Sequence, residues 1–266
     1  ETYTIEALMH DGKALQSGTS HYFGDGFSKA FGVTFTDREN KLAYPHQTSW
    51  GSTTRLIGAV IMTHGDDNGL VLPPRIAPVQ VMIVPVAQHK PGVLEKAREL
   101  LGLLSGVCRV RIDESENSPG WKFAQHEMRG VPIRLEIGPR DIENGVCILS
   151  RRDTAEKTTV PLTALESAVP ALLGTIQENL YSRALERRKK MTHTAVTLDE
   201  MKRIAAEKPG FIRAMWCGDE ACELRLKEEA EVSSRCMPFE DQERVSETCV
   251  CCGRKAQALV YWGKAY

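Results

Sequence analysis

Cysteines are the side chains whose spacing most clearly predicts chemistry. Six of the chain's eight cysteines lie from Cys217 onward. They include two short-spaced pairs, Cys217-x4-Cys222 and Cys249-x2-Cys252. Two such pairs are what a tetrahedral zinc site with four thiolate ligands requires. Because four thiolates leave no open coordination position, the predicted Zn²⁺ is structural rather than catalytic.

Two alternatives to this ligand set remain open on spacing alone. The run C-V-C-C-G allows Cys251 as well as Cys249 to be the third ligand. The second alternative is that the thiols are ordinary buried side chains of a small domain and bind no metal. Gly218 and Gly253 favour the metal site, since each follows a cysteine where a knuckle has to turn. In a domain this small, a metal would replace part of the hydrophobic core.

A second candidate region runs from Gln47 to Arg75. Gly51 allows the backbone to approach a ligand, and Ser52 is predicted to cap a helix over residues 53–64. The apolar residues of that helix recur at helical spacing and predict one buried face: Leu56, Ile57, Val60 and Ile61.

Arg55 lies on the first turn of this predicted helix. A cation is unexpected there, because the helix N-terminus already carries positive partial charge. Nucleotide binding would explain it, since a guanidinium can lie on an adenine ring or bind phosphate oxygens with two hydrogen bonds. In that case the Thr53 hydroxyl and the helix-end N–H groups supply further donors. The alternative is an arginine that extends from a core helix into solvent.

Composition narrows the function classes. The chain has 266 residues, 34 basic against 35 acidic, and so fits two or three domains without a net charge that indicates nucleic acid. No apolar run approaches the roughly 18 residues of a membrane span, and clustered cysteines suit a metal site in the cytoplasm. We therefore expect a soluble cytoplasmic protein. Because the sequence begins at Glu1, we expect it to be a fragment or a processed chain.

The elements that would hold these residues fall into three parts. Residues 7–25 are predicted as a polar loop that contains Gln16, Thr19, Ser20 and His21, followed by strands of an antiparallel sheet. The Ser20–His21 pair does not predict a hydrolase, because a G-x-S-x-G motif is missing from the sequence.

Beyond Pro78, strands alternate with helices, which is typical of a compact α/β sandwich with a partly parallel sheet. A long helix through Leu165 and Leu180 ends in a basic run, Arg187–Lys190, which suits either a solvated helix end or a phosphate contact. From about Thr194 we predict a small third domain that carries the cysteine pairs.

Five motifs, in this order, resemble prolyl-tRNA synthetase of the eukaryotic and archaeal type. The motifs are S-G-T-S-H-Y-F-G-D-G-F-S-K-A-F, Q-T-S-W-G-S-T-T-R-L-I-G, H-G-D-D-N-G-L-V-L-P-P-R, S-P-G-W-K-F and R-G-V-P-I-R-L-E-I-G-P-R-D. The resemblance covers essentially the whole chain. It implies an α+β and α/β protein in three domains. These are the end of a class II antiparallel-sheet catalytic domain (1–77), an α/β anticodon-binding domain (78–185) and a small zinc-binding α+β domain (186–266).

The resemblance also implies roles for individual positions. Residues 51–62 match the third class II signature motif, with Arg55 as its arginine. The positions that match ATP contacts are Gln16, Thr19, Thr53 and Arg55. Those that match the wall of a proline pocket are His21, Ser49, Trp50 and Gly51. Those that match readers of the anticodon's guanines are Lys122, Glu127, Arg134, Arg140 and Asp141.

The implied activity is the ATP-dependent attachment of L-proline to the 3′ end of tRNA(Pro), with Mg²⁺ and without a protein nucleophile or acid–base residue. The first two class II motifs are missing before Glu1, so the chain alone is expected neither to activate proline nor to form the homodimer that the missing portion would build. The alternative is a non-catalytic tRNA-binding module derived from a synthetase. A synthetase for threonine or glycine is a weaker rival.

Overall fold

The computed structural model describes residues 1–240 and 242–266. Its internal contacts define two compact units. One unit contains residues 1–63 together with residues 187–266, and the other contains residues 64–186. The three-domain division at 77/78 and 185/186 stays a prediction. None of the helices among the described residues has both the length and the apolar character that a membrane crossing needs.

The first segment of the discontinuous unit is a small antiparallel sheet, a short hairpin and a helix. Its strands are β1 (Thr2–Leu8), β2 (Ala14–Gly24), β3 (Phe35–Thr36), β4 (Leu42–Ala43) and β5 (Gln47–Ser52), and its helices are α1 (Gly26–Ala30) and α2 (Arg55–His64). Strands β1, β2 and β5 form one sheet in that order, whereas β3 pairs only with β4.

The polar loop predicted for residues 7–25 is wrong, because most of it is strand β2 in a hairpin with β1. The turn lies at Asp11–Gly12, where Gly12 has a φ of +78°. Asp-Gly between two strands is a strong hairpin signal. The backbone N–H groups of Met9 and Gly12 are bonded to the carbonyls of Lys13 and Met9, respectively, within this turn.

Helix α2 differs from its prediction at its start and on its surface. It begins at Arg55, and the Thr53 hydroxyl rather than Ser52 accepts the Arg55 backbone N–H, at 3.2 Å. The predicted buried face is wrong: Ile57 is 62% exposed, and Ala59 is the helix's buried residue. The reason is that α2 contacts the sheet through Ala59, which packs with Met9 and Leu15.

The second unit is an α/β sandwich around a five-stranded sheet of order β10-β9-β8-β6-β7. Its strands are β6 (Val81–Pro85), β7 (Val110–Ile112), β8 (Ile133–Ile137), β9 (Val146–Arg151) and β10 (Lys157–Pro161). Its helices are α3 (Val93–Leu104), α4 (Pro119–Met128), α5 (Pro139–Glu143) and α6 (Leu165–Lys190), with a 3₁₀ turn over Leu162–Ala164.

This sheet is partly parallel, as predicted. Strand β6 runs parallel to β7 and β8, while β9 is antiparallel to β8 and β10. Apolar residues of β6 and β8 pack against α3 and α6 in one continuous core. The mixed α/β architecture is therefore confirmed for residues 64–186.

The last segment returns to the discontinuous unit. It contains strands β11 (Thr192–Thr194), β12 (Phe211–Trp216), β13 (Ser233–Cys236) and β14 (Ala258–Gly263), in the order β11-β12-β14-β13, and helices α7 (Leu198–Glu207) and α8 (Glu220–Ala230). The sequence reasoning missed α8. Its start carries a helix signal, because the Asp219 carboxylate accepts the Ala221 backbone N–H at 3.0 Å.

Main-chain and side-chain contacts join the two segments of this unit. The Ala14 N–H donates to the Lys264 carbonyl at 2.8 Å, so the end of the chain pairs with the start of β2. Arg187, in the basic run that ends α6, donates to the Thr63 carbonyl at 2.8 Å. That contact gives Arg187 a structural role whether or not the basic run also meets a phosphate.

Candidate functional site

The two cysteine pairs come together at one point. The ligand sulfurs of Cys217, Cys222, Cys249 and Cys252 all lie within 4.8 Å of one another. The Sγ–Sγ distance is 3.7 Å from Cys217 to Cys222 and 3.8 Å from Cys217 to Cys252. A tetrahedron with Zn–S bonds of about 2.3 Å has edges of roughly 3.8 Å, so this donor set fits Zn²⁺.

The cluster includes Cys249 and not Cys251, which lies buried beside it. The predicted ligands lie after a strand, at the start of a helix and in a turn. Cys217 follows β12, Cys222 lies in the first turn of α8, and the other two belong to a turn closed by the Gly253 N–H bonded to the Cys249 carbonyl at 3.0 Å. Three of the four thiols are buried, and Cys252 is exposed.

The thiols differ in how readily they ionise. Burial raises the pKa of Cys222 and of Cys249 above the usual value. The pKa of Cys252 is instead lowered to about 6, chiefly because Arg254 donates a hydrogen bond to its sulfur. The distance from Arg254 Nε to Cys252 Sγ is 3.3 Å. A thiolate is the form that binds a metal, so this arginine favours the binding form of Cys252.

A β-bulge arranges the predicted nucleotide residues of β2. Gln16 pairs with Glu6 and Gly18 pairs with Ile5, which leaves Ser17 as an extra residue in β2. Because side chains alternate along a strand, an extra residue shifts the alternation by one. Gln16 and Thr19 therefore point to the same face of the sheet although three positions separate them.

The register brings three residues of the predicted proline pocket to that same face. In the β2–β5 ladder, Thr19 is opposite Gly51 and His21 is opposite Ser49. The His21 ring is held by a 2.9 Å hydrogen bond between its Nδ1 and the Thr2 hydroxyl. Trp50 is not brought to this face: it pairs with Ser20 on the opposite side of the sheet and is 83% exposed.

Arg55 and Thr53 link this face to α2. The Arg55 Nη1 donates to the main-chain carbonyl of Gln16 at 3.3 Å, across the sheet from the start of the helix. The Thr53 hydroxyl accepts the Arg55 N–H. Arg55 thus contacts the Gln16 main chain and the Thr53 hydroxyl, and all four predicted ATP contacts are exposed or half-buried.

In residues 64–186, two of the predicted anticodon residues line one polar cavity. The cavity has a volume of about 220 Å³ and is lined by Glu127 and Arg134. Its remaining wall is rich in cations and polar groups: His126, Val131, Ser150, Arg151, Arg152, Ala155 and Lys157. A mixture of arginine forks and a carboxylate suits hydrogen bonding to the edges of a guanine.

Arg134 is held by a buried carboxylate and by an aromatic ring. Its Nη2 donates to Glu136 at 2.8 Å, and its guanidinium carbon lies 4.1 Å from the Phe123 ring centroid. Lys157 also binds Glu136, at 3.1 Å. These contacts fix the orientation of the guanidinium before any ligand arrives. The contribution of Phe123 was missed in the sequence, although the motif W-K-F places an aromatic residue beside Lys122.

Lys122 is only 1% exposed. Its Nζ donates to Gln88 Oε1 and to the Asp113 carbonyl, each at 2.9 Å. His126, one turn later on α4, places Nε2 at 2.6 Å from Asp113 Oδ2. Contact between Lys122 and a base would require its side chain to leave these partners.

The other two predicted anticodon residues lie at the start of α5. The Asp141 carboxylate accepts the Gly138 N–H at 2.8 Å at the start of the helix, while Arg140 is exposed. Asp141 therefore has a structural partner already, whereas Arg140 is open to solvent. Neither residue lines the cavity of Glu127 and Arg134.

Comparison with known proteins gives two family matches. Residues 80–172 match the family described as anticodon binding domain, and residues 198–266 match the family described as prolyl-tRNA synthetase, C-terminal. The chain carries an anticodon-binding domain and a prolyl-tRNA synthetase C-terminal domain. The resemblance stated from the motifs is thereby confirmed.

Curated relatives extend the similarity to all parts of the chain. The chain is 62% identical over 265 residues to a proline–tRNA ligase of Clostridium novyi (strain NT), and 61% identical over 266 residues to one of Lachnospira eligens. A protein called proline–tRNA ligase 2 of Bacillus thuringiensis (strain Al Hakam) is 59% identical over 265 residues. Each alignment covers 100% of this chain but only 55% or 56% of the relative.

The chain thus spans about half the length of the curated relatives it matches. These relatives come from bacteria, and the assignment to a eukaryotic and archaeal type stays a prediction. Within the prolyl-tRNA synthetase C-terminal match lies the whole cysteine cluster, together with Arg254, which the sequence reasoning had not singled out.

Proposed function

We propose that this chain is a portion of a proline–tRNA ligase, which activates L-proline with ATP and transfers it to the 3′ end of tRNA(Pro). The observation that carries the proposal is the 62% identity to a proline–tRNA ligase across the full chain. The anticodon-binding match over residues 80–172 supports tRNA as the partner. The remaining portion of the polypeptide would complete the catalytic domain and form the homodimer, in the cytoplasm.

In the first step, a proline carboxylate oxygen bonds to the α-phosphorus of ATP while the bond to pyrophosphate breaks. Gln16, Thr19, Thr53 and Arg55 would bind the nucleotide, with Gln16 also holding Mg²⁺. Bound Mg²⁺ supplies charge neutralisation on the phosphates. Proximity and preorganised charge can account for the rate of such a reaction, which needs no nucleophile from the protein. The closeness of Arg55 to the Gln16 main chain supports this shared site.

Proline itself would bind next to the nucleotide. His21, Ser49 and Gly51 share a sheet face with Thr19, which supports a pocket in which the carboxylate lies near the α-phosphate. A compact secondary amine needs a few fixed polar groups and an apolar wall. We include Trp50 in the pocket as predicted, although a contact from its side of the sheet requires the local backbone to adjust.

The anticodon would be read on residues 64–186. Glu127 and Arg134 would bind guanine edges at their cavity, with Arg140 and Asp141 at the start of α5 adding contacts. Lys122, the fifth predicted residue, would contact a base only after its side chain leaves Gln88 and Asp113. The four clustered cysteines would hold a structural Zn²⁺, because their donor atoms have the spacing of a tetrahedral thiolate site.

The apolar residues exposed on α2 support a further protein segment on this surface. Leu56, Ile57 and Ile61 are 40%, 62% and 44% exposed, and Ile57 and Ile61 lie one turn apart on this helix. A contiguous apolar surface of this kind marks a contact with other protein. The missing part of the catalytic domain is the segment that we expect there.

The test is amino-acid-dependent exchange of pyrophosphate into ATP by the complete polypeptide. Proline should drive exchange, and threonine and glycine, the substrates of the weaker rival assignments, should not. Charging of tRNA(Pro) with radiolabelled proline should then follow. A polypeptide that binds tRNA(Pro) but exchanges pyrophosphate with none of the three amino acids would instead be the non-catalytic module.

A further inference from the structure

Arg254 connects the two halves of the cysteine cluster. Its Nε donates to the Cys252 sulfur at 3.3 Å, and its Nη2 lies 3.8 Å from the Cys217 sulfur. The same Nη2 forms an ion pair with the Asp219 carboxylate. Arg254 comes from the second cysteine pair's turn, whereas Cys217 and Asp219 belong to the first. The guanidinium therefore spans both knuckles from outside.

We propose that Arg254 is a positioning residue of the metal centre: it holds Cys252 in its ligand position and slows release of the metal. The inference rests on the zinc site proposed above. It assigns a function to a side chain that is not a ligand, and it identifies Cys252 as the ligand through which the metal leaves.

Exposure singles out Cys252. Cys217, Cys222 and Cys249 are buried in the small core of this segment, whereas Cys252 is exposed. A chelator or another competing ligand reaches an exposed thiolate first. The only hydrogen bond that the structure gives the Cys252 sulfur from a cation, among the described residues, comes from Arg254.

Charge gives the physical reason. Four thiolates around Zn²⁺ carry a net charge of about −2, which a nearby guanidinium offsets. Hydrogen bonds to ligand atoms also fix their orientation, and loss of such outer partners typically lowers metal affinity by roughly 10- to 100-fold. Arginine suits this role better than lysine, because its planar fork can reach a sulfur and a carboxylate at once.

Asp219 has two contacts that keep this arrangement in place. One carboxylate oxygen caps α8 through the Ala221 N–H, and the other pairs with Arg254. The start of α8 is also where Cys222 is located. Through Asp219, the guanidinium is thus aligned with the same helix end that presents a ligand.

The experiment measures zinc transfer from the full chain to the chromogenic chelator 4-(2-pyridylazo)resorcinol. Arg254→Ala should accelerate release by about tenfold or more, as expected for loss of an outer partner. Arg254→Lys should fall between Arg254→Ala and the wild type. Lys255→Ala is the matched control, since it removes one exposed positive charge at the next position and should release zinc at the wild-type rate.

A second variant protects the test against misfolding. Asp219→Asn keeps an oxygen for the α8 cap and removes the charge that holds Arg254. It should accelerate release less than Arg254→Ala, and the double variant should release no faster than Arg254→Ala alone. Cobalt-loaded variants should keep the absorption bands of tetrahedral thiolate coordination, which would show that all four ligands remain.

Two results would overturn separate claims. If the wild-type chain retains zinc but Arg254→Ala and Lys255→Ala release it at equal rates, Arg254 has no positioning role. If the wild-type chain binds neither zinc nor cobalt, the proposed metal site fails, and the role of Arg254 fails with it.

Discussion

The cysteine cluster and the β2–β5 face belong to the same compact unit but are built in opposite ways. The cluster takes four ligands from residues 217–252, three of them buried, with all donor atoms within 4.8 Å. The β2–β5 face presents exposed or half-buried side chains from two strands and the start of a helix. One hydrogen bond, from Arg55 to the Gln16 carbonyl, links that helix to β2.

The comparison indicates which of the two proposed sites is formed by this chain alone. The four donor atoms of the cysteine cluster are already gathered, and a metal bound there would add folding free energy. The β2–β5 face has no such internal gain, and its neighbours Leu56 and Ile57 are exposed. We infer that the cluster functions within this chain, whereas the nucleotide and proline site requires the rest of the polypeptide.

The largest expected effect comes from removing a buried cysteine of the proposed zinc site. Cys217→Ser should abolish zinc binding and unfold residues 198–266, because structural zinc sites contribute on the order of 10 kcal/mol of folding free energy. Metal analysis of the purified chain and limited proteolysis would measure both. Cys251→Ser, the buried neighbour outside the cluster, should keep the zinc. A Cys217→Ser chain that stays folded with a full equivalent of zinc would contradict the assignment.

The second-largest expected effect is a loss of pyrophosphate exchange, and it concerns the β2–β5 face. Arg55→Ala in the complete polypeptide should lower proline-dependent pyrophosphate exchange on the order of 100-fold, because it removes a charge preorganised for the transition state. The affinity for tRNA should change little. Arg38→Ala, which removes an exposed arginine from the β3–β4 turn, is the control and should leave exchange intact. Unchanged exchange in Arg55→Ala would refute the nucleotide role.

A smaller effect is expected in the unit of residues 64–186, which contains the anticodon-binding match. Arg134→Ala should slow tRNA charging and spare pyrophosphate exchange. The expected loss is about 1–3 kcal/mol in the discrimination between guanine and a wrong base, since one bidentate arginine–guanine contact is lost. Arg134→Lys keeps the charge beside Glu136 and should still lose most of this specificity. Charging rates at several tRNA concentrations would measure the change. Charging at the wild-type rate, or a loss of exchange as large as the loss of charging, would contradict an anticodon role.

The smallest expected effect is a change in folding stability, and it concerns an ion pair within residues 64–186. Arg152 binds Asp66 and thereby lowers the pKa of that carboxyl below its usual value of 3.8. A lowered pKa stabilises the folded state at pH values above the usual pKa of the carboxyl, and that contribution disappears as the pH falls through the folded-state pKa. Because Asp66 is 45% exposed, we expect roughly 0.2–1 kcal/mol.

Urea unfolding of the wild type and of Asp66→Asn would measure this term. The difference between their midpoints should be present at pH 7 and should shrink below pH about 4. Asp67→Asn is the matched control, because it removes a neighbouring exposed carboxylate. A difference that stays constant with pH would exclude the ion pair as its cause.

Much of the fold followed from local patterns. Strands were predicted to alternate with helices beyond Pro78, and β6, α3, β7, α4 and β8 follow one another in that way. Apolar runs and helical spacing carry this information within a few residues. The β1–β2 hairpin was missed because polar residues conceal β2, although Asp11–Gly12 marked its turn.

The sites were predictable to the extent that their residue types are unusual. Cysteine spacing predicted the cluster and left open whether Cys249 or Cys251 belongs to it, and in the structure it is the Cys249 sulfur that lies with the other three. Arg254 has no pattern of its own, because its contact with Cys252 depends on how the turn closes. The burial of Lys122 depends on Gln88 and Asp113, which are distant in sequence.

The extra residue in β2, Ser17, decides which side chains of that strand lie on the β2–β5 face. Residues on the two sides of Ser17 alternate out of phase, and only this offset places Gln16 on the face of Thr19 and His21. Deleting Ser17 would leave Gln16 two positions from Thr19, and a regular ladder keeps such residues on one face. Inserting one residue into β1 opposite Ser17 would instead remove the bulge with Ser17 retained, and Gln16 would then turn to the other face. The face therefore depends on how the residue counts of β1 and β2 match at the bulge as much as on the identity of any one residue.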